Sequence, residues 1–68
     1  MPVDYKKLWL ILVERNLSKS EFRKTANLSP ATLTKLNKNE FVSMDILSKI
    51  CKALDCNLGD IADFVKEK

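Results

Sequence analysis

The residues best placed for recognition chemistry are Pro30, Ala31, Thr32, Thr34 and Lys35. They fall on one face of a short segment and combine small side chains, two hydroxyls and a cation. Such a face suits the edges of DNA base pairs, where hydroxyls exchange hydrogen bonds, an ammonium donates to guanine, and small apolar groups meet thymine methyls. Little else in the chain could do chemistry. There is no histidine, so the commonest general base and metal ligand is missing. Cys51 and Cys56 are the only thiols, short of the four-ligand, paired-cysteine pattern of a structural zinc. They read either as small core residues ending a helix or as a redox pair that would lock that corner. Gly59 is the single glycine, so no glycine-rich phosphate loop exists. The chain is read as a non-enzyme with no cofactor and no metal.

Five helix signals position that face. A first helix is expected from about Asp4 to Arg15, with Tyr5, Leu8, Trp9 and Leu12 as its inward stripe and Val13 widening it. Leu10 and Ile11 fall partly off the stripe, as a wide buried face or a contact with a partner chain. Asn16 ends this helix, and Leu17 drops into the core. Ser18 with Glu21 forms a capping box that opens a second helix at Lys19. Asn27 tolerates the left-handed backbone of a tight turn. Ser29-Pro30 then starts a third helix at once. Phe22, Leu28, Leu33 and Leu36 pack this pair together. A fourth helix starts at Ser43, with Asp45 in its first turn, Phe41 or Val42 stapling its start, and Leu47, Ile50, Cys51 and Leu54 inward. A fifth follows Asn57, capped with Asp60, presenting Leu58, Ile61, Ala62 and Val65 on one face and Phe64 elsewhere. Lys66 to Lys68 are expected to fray.

Composition sets the frame. Sixty-eight residues, 46% hydrophobic and 31% charged, make one small globular domain, residues 1–68. One glycine and two prolines near helix starts argue for an all-α chain. The longest apolar run, Leu8 to Val13, is far too short to span a membrane. No signal peptide is read at the N-terminus, so a cytoplasmic protein is expected. The net charge of +3 is uneven: residues 1–39 carry eight Lys/Arg against three Asp/Glu, and residues 40–68 carry four against six. The basic half holds the tight helix pair, as an oriented approach to a polyanion requires.

The stretch SKSEFRKTANLSPATLTKL resembles the helix-turn-helix of the Cro/C1-type family of phage and bacterial regulators. Leu36 to Glu40 resembles that family's exit from the recognition helix, and Leu54 to Ile61 its join between the last two helices. Tyr5 to Trp9 with Ile50 to Cys56 is similar to a small single-domain branch found in Gram-positive bacteria. The likeness runs from roughly Tyr5 to Val65. It implies a compact five-helix lambda-repressor-like DNA-binding domain with its motif at about 18–37. Arg23 stands where the family prefers a small residue, so its stem must lie along the helix pair with the guanidinium outward. The family's tie between the first helix and the residue after the recognition helix falls on Leu12 and Asn37, which implies apolar packing in its place.

The resemblance further implies a recognition helix, 29–37, in the major groove of double-stranded DNA, with Pro30, Ala31, Thr32, Thr34 and Lys35 on base edges. Phosphates would be gripped by Lys19 at the start of the second helix, and by Lys38, Asn39 and Ser43 on the other side. Ser29 either contacts a phosphate or only caps its helix. Lys6, Lys7 and Lys24 add general attraction. A homodimer on an operator is expected, with no small-molecule ligand and no membrane partner. Phe64 with Ile61 or Val65 is one dimer surface, unless Phe64 packs on Trp9 or Tyr5; Leu10 and Ile11 are the other. The competing reading is a protein-interaction module of antitoxin or anti-repressor type on the same scaffold.

Overall fold

The computed structural model describes residues 2–66. In chain order the elements are β1 (Val3–Asp4), α1 (Lys6–Glu14), α2 (Lys19–Thr25), α3 (Pro30–Asn37), α4 (Met44–Leu54), a one-turn 3₁₀ helix (Leu58–Asp60) and β2 (Asp63–Phe64).

Three helices begin on a serine. Ser18, Ser29 and Ser43 each hold extended backbone while the side-chain oxygen accepts the amide N–H three residues on, from Glu21, Thr32 and Ile46. A cap of this kind contributes about 1 kcal/mol. It occupies one of the amides that a helix start leaves without a partner. The ends are equally regular. Asn16, Asn27, Asn39 and Asp55 all have φ between 52° and 56°. After each, the next amide reaches five residues back: Leu17 to Leu12, Leu28 to Arg23, Glu40 to Lys35 and Cys56 to Cys51, at 2.9–3.0 Å. These are Schellman closures, usually built with glycine at the left-handed position. Asn and Asp are the side chains that tolerate this conformation best. Gly59 has no positive φ, so the chain's single glycine serves none of the turns.

The helices enclose one core. Tyr5, Leu8, Leu12, Phe22, Leu36, Ile50, Leu54 and Ile61 are at most 3% exposed, joined by Val3, Ala26 and Leu28. Trp9 packs its edge against Phe22 with ring centroids 6.4 Å apart at 89°, a favoured T-shaped geometry. Leu17, Leu33, Leu47 and Cys51 pack against the core from partly buried positions, as does Val42 ahead of α4. Of the two residues expected to staple that start, Val42 does so, while Phe41 is exposed.

Four expectations need correction. The first helix starts at Lys6 rather than Asp4, because Val3 and Asp4 are extended and the Asp4 carboxylate accepts the Lys6 N–H. Val13 does not widen the buried stripe; it is 72% exposed. Leu10 and Ile11 part company: Ile11 packs on the core and Leu10 is exposed. Most important, the fold is not purely α, and the described residues form no fifth α-helix. Asn57 and Asp60 do form their capping box, but the helix stops after one 3₁₀ turn. The chain then pairs antiparallel with β1, Val3 opposite Phe64 and Asp4 opposite Asp63. The Val65 N–H extends the ribbon to the Pro2 carbonyl at 2.8 Å. A helix of two turns cannot sustain itself in water. Here only Ile61 of that segment is deeply buried, so pairing its backbone with β1 is the better solution.

Candidate nucleic-acid interface

The sequence of α3 divides its surface cleanly. Leu36 is fully buried, and Leu33 packs on the core. Ala31, Thr34, Lys35 and Lys38 are exposed. Their spacing of three, four and seven residues places them in one outward row. Pro30 is exposed at the helix start, where its missing N–H costs nothing and its fixed φ suits the first turn. Thr32 is the exception among the five base-reading candidates. It is partly buried at the edge of the row, and its hydroxyl shares a 2.9 Å hydrogen bond with Ser29.

Local hydrogen bonds decide what each side chain has left to offer. The Ser29 hydroxyl is committed to the cap, accepting the Thr32 N–H at 3.2 Å. Ser43 does the same for α4 through Ile46, at 3.3 Å. The Thr34 hydroxyl donates to the Pro30 carbonyl at 3.0 Å. It retains acceptor capacity, which matches an adenine or cytosine amino group. Lys35 and Lys38 are exposed cations with no ion pair or hydrogen bond from their ammonium groups among the described residues.

Lys19 has a structural connection absent from the sequence reading. Its ammonium donates to the Asn37 side-chain oxygen at 2.7 Å and lies 4.3 Å from the centre of the Trp9 ring. One cation thus joins α1, α2 and the end of α3. The tie between α1 and the end of α3 is polar and cation–π, not the apolar packing expected at Leu12 and Asn37. At an exposed site such a contact contributes roughly 0.5–1 kcal/mol. Asn39 is similarly engaged: its side-chain oxygen accepts the Tyr5 N–H at 3.2 Å. The Tyr5 hydroxyl donates to the Glu40 carbonyl at 2.7 Å. The turn after α3 is therefore pinned to the start of α1. Spacing along the chain carried no signal for this contact, because its partners lie 34 and 35 residues apart. Burial pushes the Tyr5 phenol above its ordinary range, opposed in part by the Val42 backbone.

The remaining cations separate by role. Arg23 is partly buried and turns its guanidinium onto the Leu28 carbonyl at 3.3 Å, bracing the turn between α2 and α3. Lys7 pairs with Asp63 at 2.9 Å and donates to the Gly59 carbonyl at 3.2 Å. It fastens α1 to the closing segment. Lys6 and Lys24 remain exposed. Cys51 and Cys56 occupy the two positions whose side chains meet across a Schellman closure. Both are free thiols. Burial pushes the Cys56 thiol up, aided by the neighbouring Cys51 and by Asp60; Arg15 opposes this. That is the reverse of the depressed pKa that activates a thiol.

Among the described residues no helix is long and apolar enough to cross a membrane, and no three His, Cys, Asp or Glu side chains cluster as a metal site. No curated protein matches the chain. Among solved structures it is similar to that of the transcriptional regulator VanUg (crystal form II). The two are 42% identical with a TM-score of 0.92, over 97% of this chain and 88% of that one. A family model of the Cro/C1-type HTH DNA-binding domain matches residues 7–67. Capped helices on either side of an asparagine turn, a buried Leu36 and an exposed row on α3 are the physical content of that match, and the chain belongs to the Cro/C1-type helix-turn-helix family of DNA-binding domains.

Proposed function

We propose that this protein is a transcriptional regulator of the bacterial cytoplasm that binds double-stranded DNA sequence-specifically as a homodimer. The observation that carries the reading is the exposed row on α3, held outward by the buried Leu36 and the packed Leu33. With α3 in the major groove, Pro30 and Ala31 meet thymine methyls or sugar edges, Thr34 accepts from a base amino group, and Lys35 donates to guanine O6 and N7. Thr32 reaches a base only by sharing its hydroxyl with Ser29. Lys38 grips phosphate directly. Lys19, Ser29, Asn39 and Ser43 act at phosphates through whatever donor capacity their structural bonds leave. A single domain makes few phosphate contacts and binds weakly. Two domains on half-sites ~34 Å apart satisfy one face of the duplex.

The test is selection from a random duplex pool at ~150 mM salt, with sequencing of the bound fraction. A two-fold symmetric site is expected. Recovery of DNA with no shared sequence would reduce the function to backbone binding, and no recovery at all would refute it. Combined Lys35→Ala and Thr32→Ala should abolish selection. Lys35 alone should account for roughly 1–3 kcal/mol of base discrimination.

A further inference from the structure

Cys51 and Cys56, the only thiols of the chain, lie outside the α3 row. Both are free and partly exposed, one on each side of the corner that ends α4. The Cys56 N–H donates to the Cys51 carbonyl at 3.0 Å, and Asp55 between them is left-handed, with φ 52°. The bonds on either side of that hydrogen bond allow a Cα separation of about 7 Å at most. Their bends bring it lower, into the range that a disulfide spans. The side chains also feel each other: after burial, Cys51 is the next cause that raises the Cys56 thiol.

The same closure occurs four times, and its facing pairs are matched in chemistry. They are Leu12 with Leu17, Arg23 with Leu28, Lys35 with Glu40, and Cys51 with Cys56. The first is a pair of aliphatics against the core. In the second the guanidinium reaches the Leu28 carbonyl at 3.3 Å. The third opposes two charges, and the fourth two thiols. Where a closure needs only apolar filling, leucines supply it. At the end of α4 the deep burial belongs to Ile50 and Leu54, which leaves both thiols reachable from solvent.

We propose that Cys51 and Cys56 are a reversible thiol–disulfide pair, a modification site that clamps α4 to the closing segment. The oxidant is a low-molecular-weight disulfide. One cysteine thiolate attacks it, a mixed disulfide forms, and one small thiol leaves. The second cysteine then attacks the protein sulfur of that mixed disulfide, the Cys51–Cys56 bond forms, and the other small thiol leaves. The protein loses two electrons and two protons, and both pass to the two departing thiols. Burial keeps Cys56 protonated, which slows its attack. It also denies Cys56 the stabilised thiolate that makes a disulfide easy to reduce. In a reducing compartment the dithiol is the resting state, and disulfide stress closes it. The backbone hydrogen bond already holds the closed corner, so the bond fixes the corner without reshaping it. Cys56 directly precedes Asn57, whose N–H donates to the Asp60 carboxylate at 2.9 Å. The clamp therefore fastens the cap from which the 3₁₀ turn and β2 run.

The test treats the folded full chain with excess oxidised glutathione and reads its mass and free thiols. The wild-type chain should lose both thiols and two hydrogens, with the bond inside one chain, and dithiothreitol should restore it. Cys51→Ser and Cys56→Ser should each stop at one bound glutathione. Closing so short a loop in the unfolded chain should shift the wild-type folding equilibrium at least about tenfold toward the folded state. Thermal unfolding of the oxidised chain should therefore rise by several degrees over the reduced chain. Neither serine variant should show that rise. A folded wild-type chain that keeps both thiols, that retains glutathione on them, or that forms disulfides only between chains overturns the inference. So does an oxidised chain no more stable than the reduced one. None of these readouts involves DNA, so the clamp and the DNA reading fail separately.

Discussion

The helix-turn-helix, Lys19 to Asn37, and the closing segment, Leu58 to Phe64, begin with the same local device. Each opens on a cap: Ser18 and Ser29 in the first, the Asn57–Asp60 box in the second. In the motif the caps lead into helices of seven and eight residues. In the closing segment the cap leads to three residues of 3₁₀ helix and then a strand. A cap sets where a helix begins; a buried face decides whether it continues. Phe22, Ala26, Leu28 and Leu36 go into the core from the motif, but only Ile61 goes in fully from the closing segment. The segment takes its remaining stability from backbone pairing with β1 and from the Lys7–Asp63 bridge.

This contrast predicts a steep gradient of mutational cost. Phe22→Ala should be the most damaging, at about 3–5 kcal/mol, because the ring is fully buried and supports Trp9. Against a total stability of roughly 5 kcal/mol for so small a domain, urea titration should find it largely unfolded. A folded, barely shifted variant would break the contrast outright.

Next comes the turn. Asn27→Ala should cost about 1–2 kcal/mol through its left-handed backbone, whereas Asn27→Gly should be neutral or slightly stabilising. Equal melting temperatures for the two variants would show that φ is not what matters there.

The Tyr5 hydroxyl links the motif's exit to α1, and Tyr5→Phe should cost about 1 kcal/mol. Its titration gives a separate reading. The folded phenol has its pKa raised, by burial first, so the neutral form is the one the fold prefers. The associated stability is fully present below the ordinary tyrosine pKa of about 10. It is lost as pH climbs through the higher folded value. Tyr5 is the single tyrosine, so ultraviolet absorbance during alkaline titration reports it alone; a midpoint at or below the ordinary value would refute the assignment. The smallest effect belongs to the closing segment. Lys7→Ala removes a half-exposed bridge and should cost under about 1 kcal/mol, less at high salt. A larger loss in thermal unfolding would mean that the ribbon carries more of the fold than its burial indicates.

Much of this molecule was legible residue by residue. Ser18, Ser29 and Ser43 are N-caps, Asn16 ends α1, Asn27 is a left-handed turn, and Leu36, Ile50 and Leu54 are core, because each depends on neighbours within a few positions. The exposure of Ala31, Thr34 and Lys35 was legible for the same reason: once Leu33 and Leu36 face inward, helical geometry turns those three outward. Thr32 and Lys19 were only half legible. Their positions came from the helices, but their partners, Ser29 within the cap and Trp9 and Asn37 across the fold, determine what those side chains have free.

The amino-acid order alone determined where α2, α3 and α4 start, where α1 and α2 stop and which face of α3 is exposed, since caps, turns and 3.6-residue periodicity act over a few residues. Tertiary structure alone decided the rest. It converted a capped fifth helix into a strand, because two-residue strands have no periodicity to read and pair across some sixty residues of chain. It placed Asn39 and Glu40 on Tyr5, and Lys19 between Trp9 and Asn37. It also gathered Phe41, Met44 and Phe64 around one groove. Each of these depends on which distant backbone or ring arrives within a few ångströms, a result of packing the whole core at once.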